Sequence, residues 1–242
     1  MSQFSLDVTQ SAVLGQIREE PKKVLDIGSG EGCLLQAVKG KFPKCELHAC
    51  DYTNEFLKTD IPLTLVDLND GVLPWKDNSF DLVTITEVVE HLENFHIILR
   101  EINRILMPNG KVIITTPNIL NYKSRVSFLL NGFWNLYGAL PFSSKDIEST
   151  SGHITPIHYH ILSYSLQHAG FSNIRLFHDK HQRSSLGWFP LLFFFTFIFS
   201  YFTLAKSRER GQIEQENETN FIETNSFVAL TSRSLVVCAE KK

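Results

Sequence analysis

The chain has 242 residues, room for one good-sized core or at most two small domains. Apolar residues make up 43% and charged residues 20%, which excludes a disordered or fibrous chain. With 23 basic and 26 acidic residues the net charge is −3, so no basic excess is at hand to neutralise a phosphate backbone, and no nucleic acid is expected as a partner. Cys33, Cys45, Cys50 and Cys238 form no C-x-x-C pair and read as reduced core thiols of a cytoplasmic protein. Residues 1–20 are polar and amphipathic, and no secretory signal is expected in them. The unusual feature is 19 Phe, many crowded between Phe189 and Phe202.

In chain order, the first two thirds alternate strand-like and helix-like segments, the pattern of a parallel sheet with crossover helices. Lys22 to Ile27 reads as a strand ending at Gly28-Ser29-Gly30-Glu31-Gly32, and Leu34, Leu35 and Val38 carry helical spacing as far as Pro43. Glu46 to Cys50, Leu63 to Val66 and Asp81 to Thr86 are the next strands. Leu92, Phe95, Leu99, Ile102 and Leu106 mark an amphipathic helix ended by Pro108-Asn109-Gly110. Lys111 to Thr116 is a β-branched fifth strand. Asn118 to Pro156 is a long connection rich in bulky apolar residues, of a size that is functional or carries its own helices. Ser163 to Ala169 reads as a helix, Phe171 to Phe177 and Ser234 to Glu240 as closing strands, and Ser207 to Asn220 as a solvated loop.

A strand, then Asp26-x-Gly28-x-Gly30-x-Gly32, then a helix makes a nucleotide-type turn. Glycine lets the backbone bend and approach a ligand, and the helix offers free N–H groups. A dinucleotide fingerprint wants glycine at the position of Cys33, which counts against a nicotinamide oxidoreductase. Asp51 ends the second strand, where a carboxylate can accept ribose hydroxyls, and Asp67 closes the third, placed for an adenine amino group.

These residues carry a resemblance. Val24 to Gly32 resembles motif I of the class I S-adenosylmethionine-dependent methyltransferases. Leu65 to Asn69, Leu73 to Asp81 and Leu106 to Gly110 resemble later motifs of the type 11 branch, over roughly residues 20–180. The resemblance implies an α/β, Rossmann-like seven-stranded sheet with the last strand antiparallel and helices on both faces. It also implies S-adenosylmethionine as cofactor: Gly28 and Gly30 beside its methionine part, Asp51 at the ribose, Asp67 at the adenine. Asp26, Ser29, Leu68 and Glu87 complete the expected cofactor contacts.

Methyl transfer from a sulfonium is an in-line displacement, so the protein aligns the groups, and a hydroxyl acceptor must also lose a proton. In Thr86-Glu87-Val88-Val89-Glu90-His91-Leu92, a helix would set Glu87, Glu90 and His91 on one face. The stretch resembles the E-x-x-E-H segment of metal-dependent quinone O-methyltransferases and of small-RNA 2′-O-methyltransferases, which draw a further histidine from a later loop. His153 is the best match, with His158 and His160 as alternatives. Two readings stay open: a divalent ion held by Glu87, Glu90, His91 and His153, or a metal-free site in which His91 or His153 is the base, with Glu90 beside it.

Leu186 to Ala205 has no charge and nine aromatic residues, with Lys180 and Arg183 before it and Lys206, Arg208 and Arg210 after it. As a helix it has spanning length, yet the final strand must return to the same sheet. The expectation is an interfacial or re-entrant helix pair, broken near Pro190 or Ser200, that puts a cytoplasm-facing enzyme peripherally or monotopically on a membrane surface. The implied domains are a methyltransferase domain over 1–185 and 221–242, and a hydrophobic membrane-associating insertion with its polar loop over 186–220. The implied acceptor is lipophilic or lipid-linked, a quinone precursor or a lipid-linked saccharide, methylated at oxygen. A scaffold that binds the cofactor without turnover is the rival class, and the sequence leaves the oligomeric state open.

Overall fold

The computed structural model describes residues 3–140 and 152–242. Seven strands form one sheet: β1 (Lys23–Ile27), β2 (Glu46–Asp51), β3 (Leu63–Leu65), β4 (Phe80–Thr86), β5 (Leu106–Pro117), β6 (Phe171–His178) and β7 (Ser234–Lys241). Their order is β3-β2-β1-β4-β5-β7-β6, and β7 runs antiparallel to both its neighbours. The sheet expected from the resemblance is therefore the one observed.

Alternation along the strands builds a core on each face. Leu25, Ile27, Val83, Ile85, Val112, Ile114, Leu235 and Val237 point to one side and pack with Phe95, Leu99 and Ile102 of α3 (Phe95–Ile105) and Leu162 and Leu166 of α5 (Tyr159–His168). Val24, Ala49, Leu82, Ile113 and Val236 point to the other, under α1 (Gln3–Gln16) and α2 (Cys33–Lys41). Parallel β1, β2 and β4 end together, so the turns after Ile27, Asp51 and Thr86 share one edge of the sheet.

Three local expectations need correction, and a fourth, that the long connection can carry its own helix, is met. The helix α3 ends at Ile105, and Pro108-Asn109-Gly110 lie inside β5, where the register against β4 jumps from Phe80↔Leu106 to Leu82↔Lys111. Thr86 to Leu92 is not an α-helix: Glu87 has φ 55° and only Val89–His91 form a 3₁₀ turn. The long connection holds α4 (Tyr122–Asn131), capped by the Asn121 side chain accepting from the Ser124 N–H at 2.9 Å; its residues 141–151 lie outside the described residues. Ser207 to Asn220 is not a loop throughout, because it contains the end of α6 (Arg183–Glu209) and the start of α7 (Gln215–Glu223). A short α8 (Phe227–Thr231) then leads into β7.

The helix α6 is single and unbroken over 27 residues, about 40 Å at 1.5 Å per residue. Pro190 lies within it and removes one backbone bond without ending it, and the Thr203 hydroxyl bonds back to the Phe199 carbonyl at 2.8 Å. A helix pair broken at Pro190 or Ser200 is thus replaced by one long rod. By length and composition it could cross a membrane, and none of its most apolar stretch is buried.

Candidate functional site

The turn after β1 is built by backbone bonds to β2: the Gly28 and Ser29 N–H groups donate to the Cys50 carbonyl at 2.7 and 3.1 Å. Gly28 has φ 70°, and a Cβ there would collide with Val88 from the turn after β4. Glycine is required at this point by packing against the neighbouring turn as well as by its backbone. Gly30, φ 51°, faces open space, with nothing within 4 Å of where a Cβ would sit. Its N–H donates to Asp51 Oδ2 at 2.9 Å, while Asp51 Oδ1 accepts from the Tyr52 N–H at 2.8 Å. Each of those oxygens keeps a lone pair for a hydroxyl.

Asp26 is buried beneath this turn and accepts from the Thr84 hydroxyl at 2.6 Å. Burial, reinforced by the Asp51 charge and opposed by the Thr84 bond, pushes its carboxyl up to about 7. The Ser29 hydroxyl is buried without a hydrogen-bond partner. Asp67 is exposed and caps the 3₁₀ turn Leu68–Asp70, accepting from the Asn69 N–H at 2.9 Å. A nucleoside cofactor fits these groups: an open glycine cradle, an unpartnered hydroxyl, and carboxylates at the ends of successive strands.

At the same edge, the segment after Gly152 is strapped onto the turn after β4. Ile154 and Thr155 N–H groups donate to the Glu90 carbonyl at 3.0 and 2.9 Å, and the Thr155 hydroxyl donates to the Leu92 carbonyl at 2.6 Å. His91 Nδ1 donates to the Gly152 carbonyl at 2.9 Å, and His153 Nδ1 to the Leu136 carbonyl at 2.8 Å. Carbonyls only accept, so both protons sit on Nδ1 and both Nε2 lone pairs are left for chemistry. The two rings meet edge to face, centroids 4.8 Å apart. Burial lowers both histidines from the ordinary value of 6.5, so both are neutral at pH 7.

Glu90 is fully buried; Oε2 accepts from the Thr116 hydroxyl at 3.1 Å and Oε1 has no partner. Burial and the nearby Glu87 hold its carboxyl well above the usual range. Ligand atoms of Glu90, His91 and His153 lie within 4.8 Å of one another. Glu87 does not join them: its N–H bonds to the Thr115 carbonyl, and its Oε1 accepts from the Thr115 hydroxyl at 3.1 Å. The helix that would have put Glu87 on the same face is absent. Glu87 Oε2 is also without a partner, and burial raises its carboxyl to about 7. His158 and His160 are not in the cluster either; they open α5, His158 Nδ1 accepting from the His160 N–H at 3.1 Å.

Asn118 and Asn121 were not anticipated from the sequence. The Asn118 amide donates to the Ala229 and Ser232 carbonyls at 2.7 and 3.0 Å, and Asn121 Oδ1 accepts from the Ser185 hydroxyl at 3.2 Å. They anchor the start of α6 and the approach to β7 beside the end of β5. The only sequence signal was a pair of asparagines just past a strand.

Residues 25–114 match the family model described as "Methyltransferase domain". Among curated relatives, a malonyl-[acyl-carrier protein] O-methyltransferase of Halorhodospira halophila is 30% identical over 43% of this chain and 37% of its own length. A demethylmenaquinone methyltransferase of Thermotoga maritima is 28% identical over 50% of this chain and 56% of its own. The chain thus spans about half or less of the curated relatives it matches. A solved SAM-dependent methyltransferase from Archaeoglobus fulgidus shares the fold, with TM-score 0.59 and 15% identity over 99% of this chain and all of that one.

Proposed function

We propose that this chain, built around a methyltransferase domain, transfers a methyl group from S-adenosylmethionine to oxygen on a lipophilic or lipid-linked acceptor at a membrane surface. One observation carries the reading. A glycine cradle with Asp51 beneath it shares an edge of the sheet with a carboxyl and two imidazoles whose Oε1 and Nε2 atoms have no hydrogen-bond partner among the described residues. The bound cofactor would supply an electrophilic methyl and its leaving group; the chain supplies the rest. Asp51 would accept from the ribose and Asp67 from the adenine amino group, Gly28, Ser29 and Gly30 would line the methionine part, and Asp26, Leu68 and Glu87 would make the remaining contacts. Holding the two reactants in line provides most of the acceleration.

The acceptor hydroxyl must lose its proton. His91 Nε2 or His153 Nε2 is neutral and fixed in the right tautomer to receive it. The same three residues, Glu90, His91 and His153, also fit a divalent ion by donor type and spacing, which would lower the acceptor hydroxyl's pKa as a Lewis acid. Chelation separates the two versions: lost turnover restored by magnesium or zinc supports the ion, unchanged turnover supports the histidine base. Calorimetry tests the premise. Binding of S-adenosylmethionine and not NAD is expected, and the reverse overturns the assignment.

Membrane placement rests on α6. Leu191, Phe194, Phe197, Phe199 and Phe202 are 59–68% exposed, an apolar surface far beyond isolated exposed side chains. Leu129 and Leu130 of α4 add to it at 81% and 78%. A crossing would strand β7 on the opposite side from β5 and β6, with which it pairs, so α6 lies in the interface. The proposed division remains a methyltransferase domain of 1–185 and 221–242 with 186–220 inserted, although the helix itself begins at Arg183.

A further inference from the structure

Between α4, α6 and α7 lies a cavity of about 750 Å³, within the roughly 300–1,000 Å³ of small-molecule sites. Its walls are apolar, with Leu129, Leu192, Phe195, Phe199 and Phe221 among them, and one end is polar. There Arg125 is largely desolvated. Its Nε donates to the Leu120 carbonyl at 2.6 Å and Nη2 to Asn225 Oδ1 at 2.7 Å and the Thr224 carbonyl at 3.5 Å, which leaves Nη1 without a partner among the described residues. Among the described residues it has no ion pair with a carboxylate, and its one ring contact is Tyr122 at 6.0 Å. Burial lowers its pKa, the mark of a charge that its surroundings do not balance.

Two imidazoles stand by it on the cavity wall. His158 Nδ1 accepts from the His160 N–H, so its proton lies on Nε2 as a donor. His160 Nδ1 is buried without a partner. Burial and the neighbouring His160 and Arg125 pull His158 down to about 4, so the positive charge at this end comes from Arg125. A half-buried guanidinium without a carboxylate among the described residues, on the same cavity wall as an imidazole N–H donor, is a receptor for a phosphate-type anion.

We propose that this groove binds a long-chain lipid phosphate, its phosphate on Arg125 and His158 and its hydrocarbon chain along Leu129, Leu192, Phe195 and Phe199. Charge complementarity selects this occupant: a neutral ring-and-tail acceptor leaves Arg125 unpaired, and free phosphate leaves the apolar wall unused. The wall continues onto the exposed faces of Leu129 and Phe199, so a chain can enter from a bilayer without crossing water. The site deepens the reading of a lipid-linked acceptor and favours the phosphate-bearing class over a quinone precursor.

The test uses the full chain in non-ionic detergent with three probes: geranylgeranyl phosphate, geranylgeraniol and inorganic phosphate. Calorimetry is expected to show the lipid phosphate binding at least ten times more tightly than the alcohol, with inorganic phosphate far weaker than either. Arg125→Gln should erase that preference, leaving alcohol binding unchanged. Ser200→Trp, which fills the groove without touching Arg125, should weaken both lipids tenfold or more and keeps the test decisive if Arg125→Gln does not fold. Equal affinity for phosphate and alcohol, inorganic phosphate as good as the lipid, or parent-like binding by Ser200→Trp overturns the proposal. No cofactor or turnover is involved, so S-adenosylmethionine titrated into the same samples reports separately on the methyltransferase reading.

Discussion

The edge of the sheet around Gly28 and the face around α6 are opposite solutions to one problem, where polar and apolar groups go. At the glycine turn nearly every group has a partner: Gly28 and Ser29 on Cys50, Gly30 on Asp51, Asp26 on Thr84. On α6 a few rings are packed, Phe189 on Tyr122 and Phe227, but most apolar groups are exposed and Ser185 is its only buried residue. The contrast teaches that the first region is complete in its own chain apart from a small ligand. The second leaves an exposed apolar surface, which the proposed membrane placement would cover.

The largest effect expected from breaking this contrast is at Gly28. Replacing it with leucine forces a side chain into Val88 at a positive φ, so S-adenosylmethionine binding should vanish from calorimetry. Gly30→Ala has open space and should cost only about 1–2 kcal/mol of stability from its left-handed backbone, read as a small drop in melting temperature. Next in size is the double variant His91→Ala/His153→Ala. Its turnover should fall about 10²–10⁴-fold with cofactor affinity unchanged, since neither ring supports the glycine turn. Parent turnover should be level at neutral pH and fall as pH drops below 6.5, because both lowered histidines must stay unprotonated.

A smaller effect is expected on the other side of the comparison. Changing Leu191, Phe194, Phe197 and Phe202 to serine should move the protein from sedimenting vesicles into the supernatant, since burying each such side chain is worth up to about 1.5–3 kcal/mol. The melting temperature should barely change, because these side chains are 59–64% exposed in the fold itself.

The smallest effect concerns Asp26. Its pKa is raised when folded, so between about 4 and 7 the unfolded chain gives up a proton that the folded chain keeps. Stability from the neutral carboxyl is therefore complete at low pH and lost as pH rises through 7. Asp26→Asn keeps the acceptor for Thr84 and should flatten that decline, seen as a melting temperature less sensitive to pH between 5 and 8.

Strands were legible because alternation and β-branched runs are local, and the sheet order then followed from the resemblance. The turn after Thr86 was not. Helical spacing placed Glu87 with Glu90 and His91, but tertiary bonds from Glu87 to Thr115 and the packing of Val88 on Gly28 hold the backbone out of a helix. The strap from Gly152 to Thr155 that fixes the two histidine tautomers is equally non-local. The Phe run announced itself by composition, whereas the share of α4 in the same apolar face, and Arg125 beneath it, depend on how two distant helices meet.

Labelled S-adenosylmethionine incubated with the full chain and a membrane lipid extract tests the central claim most directly. The account predicts label in the organic phase, on a hydroxyl of a lipid that carries a phosphate, and none with His91→Ala/His153→Ala. Cofactor binding with no label in any lipid, or label confined to water-soluble acceptors, would contradict it.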